Sequence, residues 1–395
     1  LTIMVAGNIS DKPNTGYYMN RIVVSVATAM SMALSVASCG SESKVPAPEE
    51  WAWLGFERVA DKPLLVPDTT VKFFCPMTGD SVGGMESDVF NPAAVVKGDS
   101  IVVLFRAEDN SATGIGKRTS RIGYAPSADG VNFTYEKSPV LYPANDRERA
   151  HEVPGGCEDP RVAMTEDGVY VMLYTQWNRE VPRLGVATST DLKNWTKHGP
   201  AFANAYDGRF ADRAAKSASI VTRLDGDRLV IAKIDGKYWM YWGEQFVNVA
   251  TSDDLVNWTP MVDENGELLK VMETRPGKFD SSLTECGPPA VITDNGILLL
   301  YNGKNSDGEK GDTAYTAKSY CGGQALFDIK DPTKLITRLD KPFFVPEADF
   351  EKSGQYPDGT VFIEGLVYFK GKWYLYYGCA DSKVGGAVYD PSKGD

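Results

Sequence analysis

The stretch Gly371-Lys-Trp-Tyr-Leu-Tyr-Tyr-Gly-Cys-Ala-Asp381 is a run of aromatic and aliphatic residues that follows a glycine and ends in a polar group. Such a composition is typical of a β-strand entered from a tight turn. The same arrangement follows four earlier glycines, which are Gly98, Gly168, Gly236 and Gly296. The steps between successive copies are 70, 68, 60 and 75 residues, so the chain repeats one unit five times.

A second repeated motif is a polar turn that ends in an aromatic residue. It occurs as Ser127-Ala-Asp-Gly-Val-Asn-Phe133, Thr188-Ser-Thr-Asp-Leu-Lys-Asn-Trp195 and Thr251-Ser-Asp-Asp-Leu-Val-Asn-Trp258, with the aromatic residues 62 and 63 positions apart. Repetition of a strand-rich unit at this period is typical of radial architectures with four strands per unit. The sequence therefore predicts an all-β fold, a five-bladed β-propeller, with the active site at the mouth of its central axis.

An apolar strand with a polar head precedes each glycine-led strand, and in a propeller the first strand of each blade lines the channel. The heads are Asn91, Asp159, Lys216, Glu285 and Asp358. The glycine-led strands also end in polar groups, which are Arg106, Asp109, Gln176, Glu244, Asn302, Lys304 and Asp381. We expect both sets to meet around the axis in a concave, hydrogen-bonding pocket.

The composition limits the chemistry that such a pocket can perform. The 395-residue chain is 43% hydrophobic and carries a formal net charge of −12, which argues against a nucleic-acid partner. Its two histidines, His151 and His198, are too few for a histidine-rich metal site, and a Ser-His-Asp triad has almost nothing to be built from. No metal or cofactor is predicted, and carboxylates are the catalytic groups that remain.

The N-terminal part resembles an export signal. Arg21 precedes an apolar run at residues 22–37 that is short for a membrane span, and Val36-Ala-Ser-Cys39 is similar to a bacterial lipobox. We expect upstream residues, signal peptide and lipobox at 1–39, a tether at 40–50 and a single propeller domain at 51–395. Lipidation of Cys39 would make the protein an exported lipoprotein of the periplasm, outer membrane or cell surface, with membrane contact only through the lipid. An ordinary signal peptide with an incidental cysteine is the alternative.

Paired carboxylates on a polar axis suit the cleavage of glycosidic bonds. One carboxyl group protonates the departing oxygen, while another activates a nucleophile on the opposite face of the sugar ring. Four aromatic residues follow or end strands where they could stack on a sugar, namely Trp177, Trp239, Trp242 and Tyr301. The alternative for each of them is a place in the core, and for Asp159 it is the role of a turn carboxylate before Pro160.

The string Gly155-Gly-Cys-Glu-Asp-Pro-Arg161 resembles the signature of glycoside hydrolase family 130, the five-bladed mannoside phosphorylases and mannosidases. Further segments in the same order support this resemblance over residues 55–390: Asn91-Pro, Phe105-Arg106, Ser120-Arg-Ile-Gly-Tyr124, Lys237-Tyr-Trp-Met, Gly287-Pro-Pro and Tyr376-Tyr-Gly-Cys-Ala-Asp381. The resemblance implies that Asp159 is the proton donor and acts through a hydroxyl group of the mannose. It also implies that the terminal mannose is bound by Asn91, Arg106, Asp109, Arg121, Lys216 and Asp381.

One departure from the family's phosphorylases points to hydrolysis. Those enzymes hold phosphate with basic residues, including a histidine at the end of the strand similar to Lys237-Tyr-Trp-Met-Tyr-Trp242, where this chain has Trp242. Glu244 and Glu285 add negative charge, which repels phosphate and can activate water instead. The sequence therefore predicts Glu285 as the catalytic base, Glu244 as the group that orients the water or binds the sugar, and Trp242 as a substrate contact.

The predicted function is that of an inverting, exo-acting β-mannosidase that removes β-1,2-linked mannose from a mannose-containing oligosaccharide. A mannosyl-glycan phosphorylase is the first alternative, because Arg183 and Lys216 could hold an anion. A lipid-anchored propeller that binds glycans without turnover, or that acts on another sugar, is the second. For Glu244 and Glu285, the alternative role is that of a surface carboxylate at a blade turn.

Overall fold

Each of the five glycine-led runs is a β-strand in the computed structural model, which describes residues 45–393. The predicted signal peptide, the lipobox and Cys39 lie outside the described residues. Helices within residues 45–393 are limited to one turn or so, and none of them is long and apolar enough to cross a bilayer. The predicted all-β class is confirmed.

The described chain opens with helix α1 (Pro48–Trp51), strand β1 (Glu57–Arg58) and the hairpin of β2 (Phe73–Cys75) and β3 (Asp80–Val82). Repeat unit one consists of β4 (Asp88–Lys97), β5 (Ser100–Glu108) and β6 (Ser120–Ser127). Helix α2 (Arg149–Glu152) leads into unit two, which consists of β7 (Gly156–Met164), β8 (Tyr170–Trp177), β9 (Pro182–Ser189) and β10 (Thr196–Pro200).

Unit three consists of β11 (Ala218–Asp225), β12 (Arg228–Ile231), β13 (Lys233–Ile234), β14 (Lys237–Trp242), β15 (Val247–Ser252), β16 (Trp258–Pro260) and β17 (Lys270–Met272). Unit four consists of β18 (Leu283–Cys286), β19 (Ala290–Thr293), β20 (Gly296–Lys304), β21 (Tyr320–Phe327) and β22 (Leu335–Arg338). Unit five consists of β23 (Val361–Phe369), β24 (Lys372–Cys379) and β25 (Lys383–Tyr389). Single 3₁₀ turns lie at Gly308–Lys310, Asp349–Glu351 and Pro391–Lys393.

Neighbouring strands within a unit run antiparallel, as in the pairs β4–β5, β7–β8, β14–β15, β20–β21 and β23–β24. In unit one, Leu104 lies opposite Ala93 on one side and opposite Tyr124 on the other. Strand β1 pairs with β25, so unit five combines an N-terminal strand with the C-terminal ones. Strands β11 and β19, from successive units, also pair in parallel.

The hydrophobic core is divided into five clusters, and each cluster takes nearly all of its residues from two neighbouring units. Leu104 of unit one shares a cluster with Met172 of unit two. The next residue, Phe105, shares a different cluster with Tyr376 of unit five. Because side chains alternate along a strand, β5 serves two cores at once. The sharing of cores therefore connects the units in cyclic order, from the first to the fifth and back to the first.

The first strands of three units contain a β-bulge, and in units one and two the bulge coincides with the polar head. The register shifts between Phe90 and Pro92 in β4, between Glu158 and Arg161 in β7, and between Ile363 and Gly365 in β23. Asn91 and Asp159 lie at two of these bulges with φ angles of 46° and 47°, a left-handed region that asparagine and aspartate tolerate better than most residues. Since a bulge re-aims a side chain, these irregularities explain how the polar heads leave the regular face of the sheet.

The repeated polar turn folds as its residue types indicate. Asp191 accepts hydrogen bonds from the backbone N–H groups two and three residues ahead, at 2.9 and 2.8 Å. The Ser189 hydroxyl accepts another from the N–H three residues ahead of it, at 2.9 Å. The turns at Asp129 and Asp254 contain the same bonds, so the three copies of the motif are structurally equivalent.

Candidate active site

A cavity of about 270 Å³ opens beside the bulged starts of the first strands. Six of the residues predicted for the site line it, namely Asn91, Arg106, Asp159, Lys216, Glu285 and Asp381. The other lining residues are Phe90, Glu108, Ile115, Gly116, Lys304, Tyr320, Gln355, Tyr356 and Phe362. Because these residues come from all five units, the cavity lies where the units meet.

Arg106 joins three carboxylates on one wall of the cavity. Its Nη2 donates to Glu108 Oε1 (2.7 Å) and to Glu158 Oε1 (2.8 Å), and its Nη1 donates to Asp159 Oδ1 (3.1 Å). The Asn91 amide donates to the same Asp159 oxygen at 2.9 Å. All of these side chains are buried, where an ion without a partner would be costly, so the contacts with Arg106 hold the cluster together.

The charges around Asp159 favour its ionised form. Burial raises the pKa of this carboxyl, but Arg106, Lys216 and Arg161 outweigh burial and lower the pKa below its ordinary value. The neighbouring Glu158 shifts in the other direction, because burial raises its pKa more than Arg106 lowers it. In this arrangement Asp159 is a carboxylate, whereas the predicted role of proton donor requires a protonated carboxyl group.

Lys216 approaches two further carboxyl groups. Its Nζ lies 2.9 Å from Glu244 Oε2 and 3.9 Å from Glu285 Oε1. The Ser217 hydroxyl also donates a hydrogen bond to Glu285. Glu285 is buried, whereas Glu244 is half exposed and does not line the cavity. Burial raises the pKa of Glu285, and Lys216 offsets this only in part.

Asp381 is a further carboxyl group of the cavity. It follows β24 with a φ angle of 53° and is partly exposed. Burial by the cavity walls and the negative charge of Asp159 raise the pKa of Asp381 to about 7, although Arg106 opposes this rise. The cavity thus combines carboxyl groups whose pKa values are shifted apart, as acid–base chemistry requires. Among residues 45–393, no group of three or more His, Cys, Asp or Glu side chains is placed to hold a metal ion.

None of the four aromatic residues predicted to stack on a sugar lines the cavity, and the predicted substrate contact at Trp242 is wrong. Trp242 is 2% exposed, and its ring packs against Phe202 with the centroids 4.8 Å apart. Trp242 lies in the core shared by units two and three, whereas the preceding Tyr241 lies in the core shared by units three and four. Because both faces of β14 are covered by neighbouring units, neither ring is open to a sugar.

Asp109 and Arg121 lie behind the cavity wall and are absent from its lining. Arg121 Nη1 lies 2.8 Å from Asp109 Oδ2, and Asp109 Oδ1 accepts a hydrogen bond from the Ser111 backbone N–H at 3.0 Å. The pair anchors the loop between β5 and β6, whose residues Ile115 and Gly116 do line the cavity. The predicted contact of Asp109 and Arg121 with mannose is therefore corrected to a role in positioning this loop.

Several lining residues were not predicted, above all Tyr320 and Tyr356. Lys304 Nζ lies 5.0 Å from the ring centroid of Tyr320 and 5.3 Å from that of Tyr356, which places a cation against two aromatic faces. Both tyrosines follow irregular segments, so no repeat indicates them. Glu108 could have been found, because it lies in β5 on the same face as the predicted arginine two positions earlier. Asp358, expected as the fifth polar head, is exposed and outside the cavity.

Comparison with known proteins identifies the family. The family model for glycoside hydrolase family 130, described as β-1,4-mannooligosaccharide phosphorylase, matches residues 78–392. A 1,2-β-oligomannan phosphorylase of Thermoanaerobacter sp. (strain X514) is 30% identical over 339 residues, which cover 85% of this chain and 97% of that protein. The chain is thus an enzyme of the class that acts on β-mannosides. It belongs to glycoside hydrolase family 130, which confirms the resemblance found in the sequence.

Two solved structures extend the comparison. A glycosyl hydrolase from Bacteroides ovatus is 61% identical, with a TM-score of 0.85 over 87% of this chain and 96% of that chain. Another structure is 62% identical, with a TM-score of 0.86 over the same 87% and 96%. It was reported with the finding that this family of mannoside phosphorylases contains glycoside hydrolases that target β-1,2-mannosidic linkages in Candida mannan.

Asp381→Asn tests the charge balance of the cavity. Because the pKa of Asp381 is raised in the folded protein, its protonated form stabilises the fold. This stabilisation is complete below the ordinary aspartate pKa of about 4. It is lost as the pH rises through about 7. Asparagine has no such dependence, so the variant should gain thermal stability over the parent protein at pH 8 and gain less at pH 5. Scanning calorimetry at both pH values measures the difference. Asp358→Asn, at an exposed carboxylate outside the cavity, is the matched control, and an equal gain at both pH values would contradict the raised pKa.

Proposed function

We propose that this protein is a glycoside hydrolase that removes β-1,2-linked mannose from the end of a mannan-type oligosaccharide, with inversion. The observation that carries the proposal is that two buried carboxyl groups, those of Asp159 and Glu285, line one cavity from different repeat units. Inverting hydrolysis needs two carboxyl groups on opposite sides of the sugar with room for a water molecule. The similarity to a structure reported with β-1,2-mannoside hydrolases supports the choice of substrate.

The charges of the cavity favour water over phosphate as the nucleophile. Arg106 contacts three carboxylates and Lys216 lies beside two, so both cations already have anionic partners. A phosphate dianion would compete with those carboxylates and would lie close to Glu285, which is costly in a buried site. Trp242 lies in the core and offers no contact in place of the phosphorylase histidine. Glu285 can instead accept a proton from water.

We infer that the five units are the blades of a β-propeller, with the cavity at one mouth of its axis. The cyclic sharing of cores and the contribution of every unit to the cavity support this arrangement. A small cavity lined by strand ends and loops of all five units receives the end of an oligosaccharide more readily than its middle. The small size of the cavity therefore supports exo action.

The two carboxyl groups take different roles in the proposed reaction. The family resemblance assigns proton delivery through a mannose hydroxyl to Asp159, and we assign the activation of water to Glu285. Arg106 and the Asn91 amide hold Asp159 in place, and the Ser217 hydroxyl holds Glu285. Because the surrounding cations outweigh burial and lower the pKa of Asp159, bound substrate must weaken one of these contacts before Asp159 can carry a proton.

Phosphorolysis is the second candidate, because the 30% identical relative is a 1,2-β-oligomannan phosphorylase. Of the two cations predicted to hold phosphate, Lys216 lines the cavity. Arg183 does not, and its Nη2 lies 2.6 Å from Asp212 Oδ1 instead. Lys304 is a further cation of the cavity wall that could meet an anion.

Product analysis with β-1,2-mannobiose separates the candidates. The protein is incubated with the disaccharide in the presence and absence of inorganic phosphate. We expect free mannose in both reactions, with the α-anomer appearing first in the NMR spectrum because inversion of a β-linkage gives an α-product. Mannose 1-phosphate formed only with phosphate would establish phosphorolysis instead. No turnover on any mannoside would favour a glycan-binding protein.

Glu285→Gln and Glu244→Gln identify the residue that activates water. Glutamine cannot take up the proton, so Glu285→Gln should lower kcat by roughly 100-fold or more. Glu244→Gln changes an exposed carboxylate on the far side of Lys216 and should cause a smaller loss. Sodium azide should restore part of the turnover of Glu285→Gln and yield a mannosyl azide. Near-parental activity of Glu285→Gln, or a larger loss in Glu244→Gln, would show that the base is assigned to the wrong residue.

Asp159→Asn tests proton delivery to the departing oxygen. The variant should keep the fold and lose roughly 100-fold or more in kcat/KM on β-1,2-mannobiose, because the leaving sugar needs a proton. On 4-nitrophenyl β-mannoside the loss should be much smaller, since nitrophenolate departs without protonation. Parallel kinetics with both substrates measure the difference. Equal losses on the two substrates would mean that Asp159 binds the sugar and does not deliver the proton.

We also propose that the protein is exported and anchored through a lipid on Cys39. The support lies in the sequence, where Arg21, the apolar run at 22–37 and the Val36-Ala-Ser-Cys39 segment follow one another as in a bacterial lipoprotein. Cys39→Ser should release the active enzyme from the membrane fraction, and its retention there would indicate a different anchor.

A further inference from the structure

Arg161 is a buried arginine that lies in β7 and does not line the cavity. Only 1% of its side chain is exposed, yet it reaches three backbone carbonyl groups. Its Nη1 donates to the Asp159 carbonyl (3.1 Å) and its Nη2 to the Cys286 carbonyl (2.8 Å). Its Nε donates to the Gly287 carbonyl at 3.3 Å. The guanidinium group therefore connects two separate segments of the chain.

These carbonyl groups belong to the segments that carry the two proposed reacting carboxyl groups. Asp159 carries one of them, and Glu285 immediately precedes Cys286. Among the described strands, β7 pairs with β6, β8 and β12, whereas β18 pairs with β20. No ladder of these strands fixes β7 against β18, so the side chain of Arg161 provides a direct link between them.

A buried carboxyl group completes the link. Arg161 Nη1 lies 2.7 Å from Glu364 Oε1, and the Glu364 side chain is fully buried at the bulge of β23 in unit five. Burial raises the pKa of Glu364 well above its ordinary value, and the charge of Arg161 opposes that rise. Arg161 thus contacts units two, four and five beneath the floor of the cavity.

We propose that Arg161 is a positioning residue that sets the separation between the Asp159 and Glu285 carboxyl groups. The proposal rests on the proposed function, because it takes these two groups as the reacting pair. Inverting hydrolysis depends on this separation, since a water molecule must fit between the sugar and the base. A displacement of about 1 Å of a catalytic group can cost roughly 100-fold in rate. The planar fork of arginine suits this task, because it directs several donors at fixed angles.

Arg161 also acts on the two carboxyl groups through its charge. At Glu285, burial raises the pKa, and both Lys216 and Arg161 oppose it, while Glu244 adds to it. At Asp159, burial is outweighed by Arg106, Lys216 and Arg161. Removal of the Arg161 charge should therefore raise both pKa values, whereas a change of geometry alone should leave them in place.

The test compares Arg161→Lys with the double variant Arg161→Met/Glu364→Gln in the full chain. Lysine keeps the charge but cannot reach all three carbonyl groups, so kcat on β-1,2-mannobiose should fall roughly 100-fold with KM nearly unchanged. The pH–rate profile of Arg161→Lys should have its acidic and basic limbs at the same pH values as the profile of the parent enzyme. Because burial raises the pKa of Glu364, the double variant removes the charge of Arg161 alone, and both limbs of its pH–rate profile should move to higher pH. Circular dichroism and thermal melting establish that each variant is folded.

Arg275→Lys is the matched control for a general loss of stability. Arg275 also bonds to several partners, namely the Asp280 carboxylate and the Leu339 carbonyl, and it does not line the cavity. The control should lower the melting temperature without changing kcat. If Arg161→Lys keeps parental kcat, or loses activity only as far as Arg275→Lys does, the positioning role is wrong.

The parent enzyme distinguishes this failure from a failure of the proposed function. Release of mannose 1-phosphate by the parent, or no turnover at all, would overturn the proposed function and the positioning role that rests on it. Hydrolysis by the parent together with unchanged kcat in Arg161→Lys would overturn the positioning role alone.

Discussion

Each repeat unit buries both of its faces against its neighbours, and the rest of the structure depends on this constraint. The consecutive residues Tyr241 and Trp242 of β14 lie in two different cores, as Leu104 and Phe105 of β5 do. Packing between units therefore uses nearly every side chain along the middle of a strand. Only near the strand ends can polar side chains lie without being buried away from hydrogen-bond partners. The cavity lies at those ends because the interior of each interface has no room for it.

Charge balance within the cavity follows from the same burial. Arg106 contacts three carboxyl groups, Lys216 lies beside two, and Arg161 lies against the carboxyl group of Glu364 beneath the floor. Arg106, Lys216 and Arg161 together lower the pKa of Asp159. Burial raises the pKa values of Glu158, Glu285 and Glu364 despite the neighbouring cations. The preference for water or phosphate as the nucleophile then depends on which cations of the cavity are already paired with carboxylates. A cavity whose main cations are paired with its own carboxylates has less to offer to phosphate than to water.

The sequence predicted the strands and part of the site for different physical reasons. Glycine-led apolar runs have an unambiguous local meaning, and each forms a strand. The heads Asn91 and Asp159 reach the cavity because bulges in β4 and β7 redirect them. Trp242 was misjudged because an aromatic residue at a strand end looks the same whether it stacks on a sugar or on a neighbouring unit. Only the contact with Phe202 decides between the two. Tyr320 belongs to a unit whose loop has no repeat, so no local pattern could place it.

Backbone strain shows why rigid packing matters to the site. Asn91, Asp159, Ser217 and Asp381 all have positive φ angles between 46° and 59°. Such conformations cost of order 1 kcal/mol each and persist only where the surroundings leave no alternative. In β7, ladder pairs resume on both sides of Asp159, and Arg161 binds its carbonyl oxygen. The shared cores hold the strands in place on both sides of the bulges, and the bulges of β4 and β7 direct Asn91 and Asp159 into the same cavity.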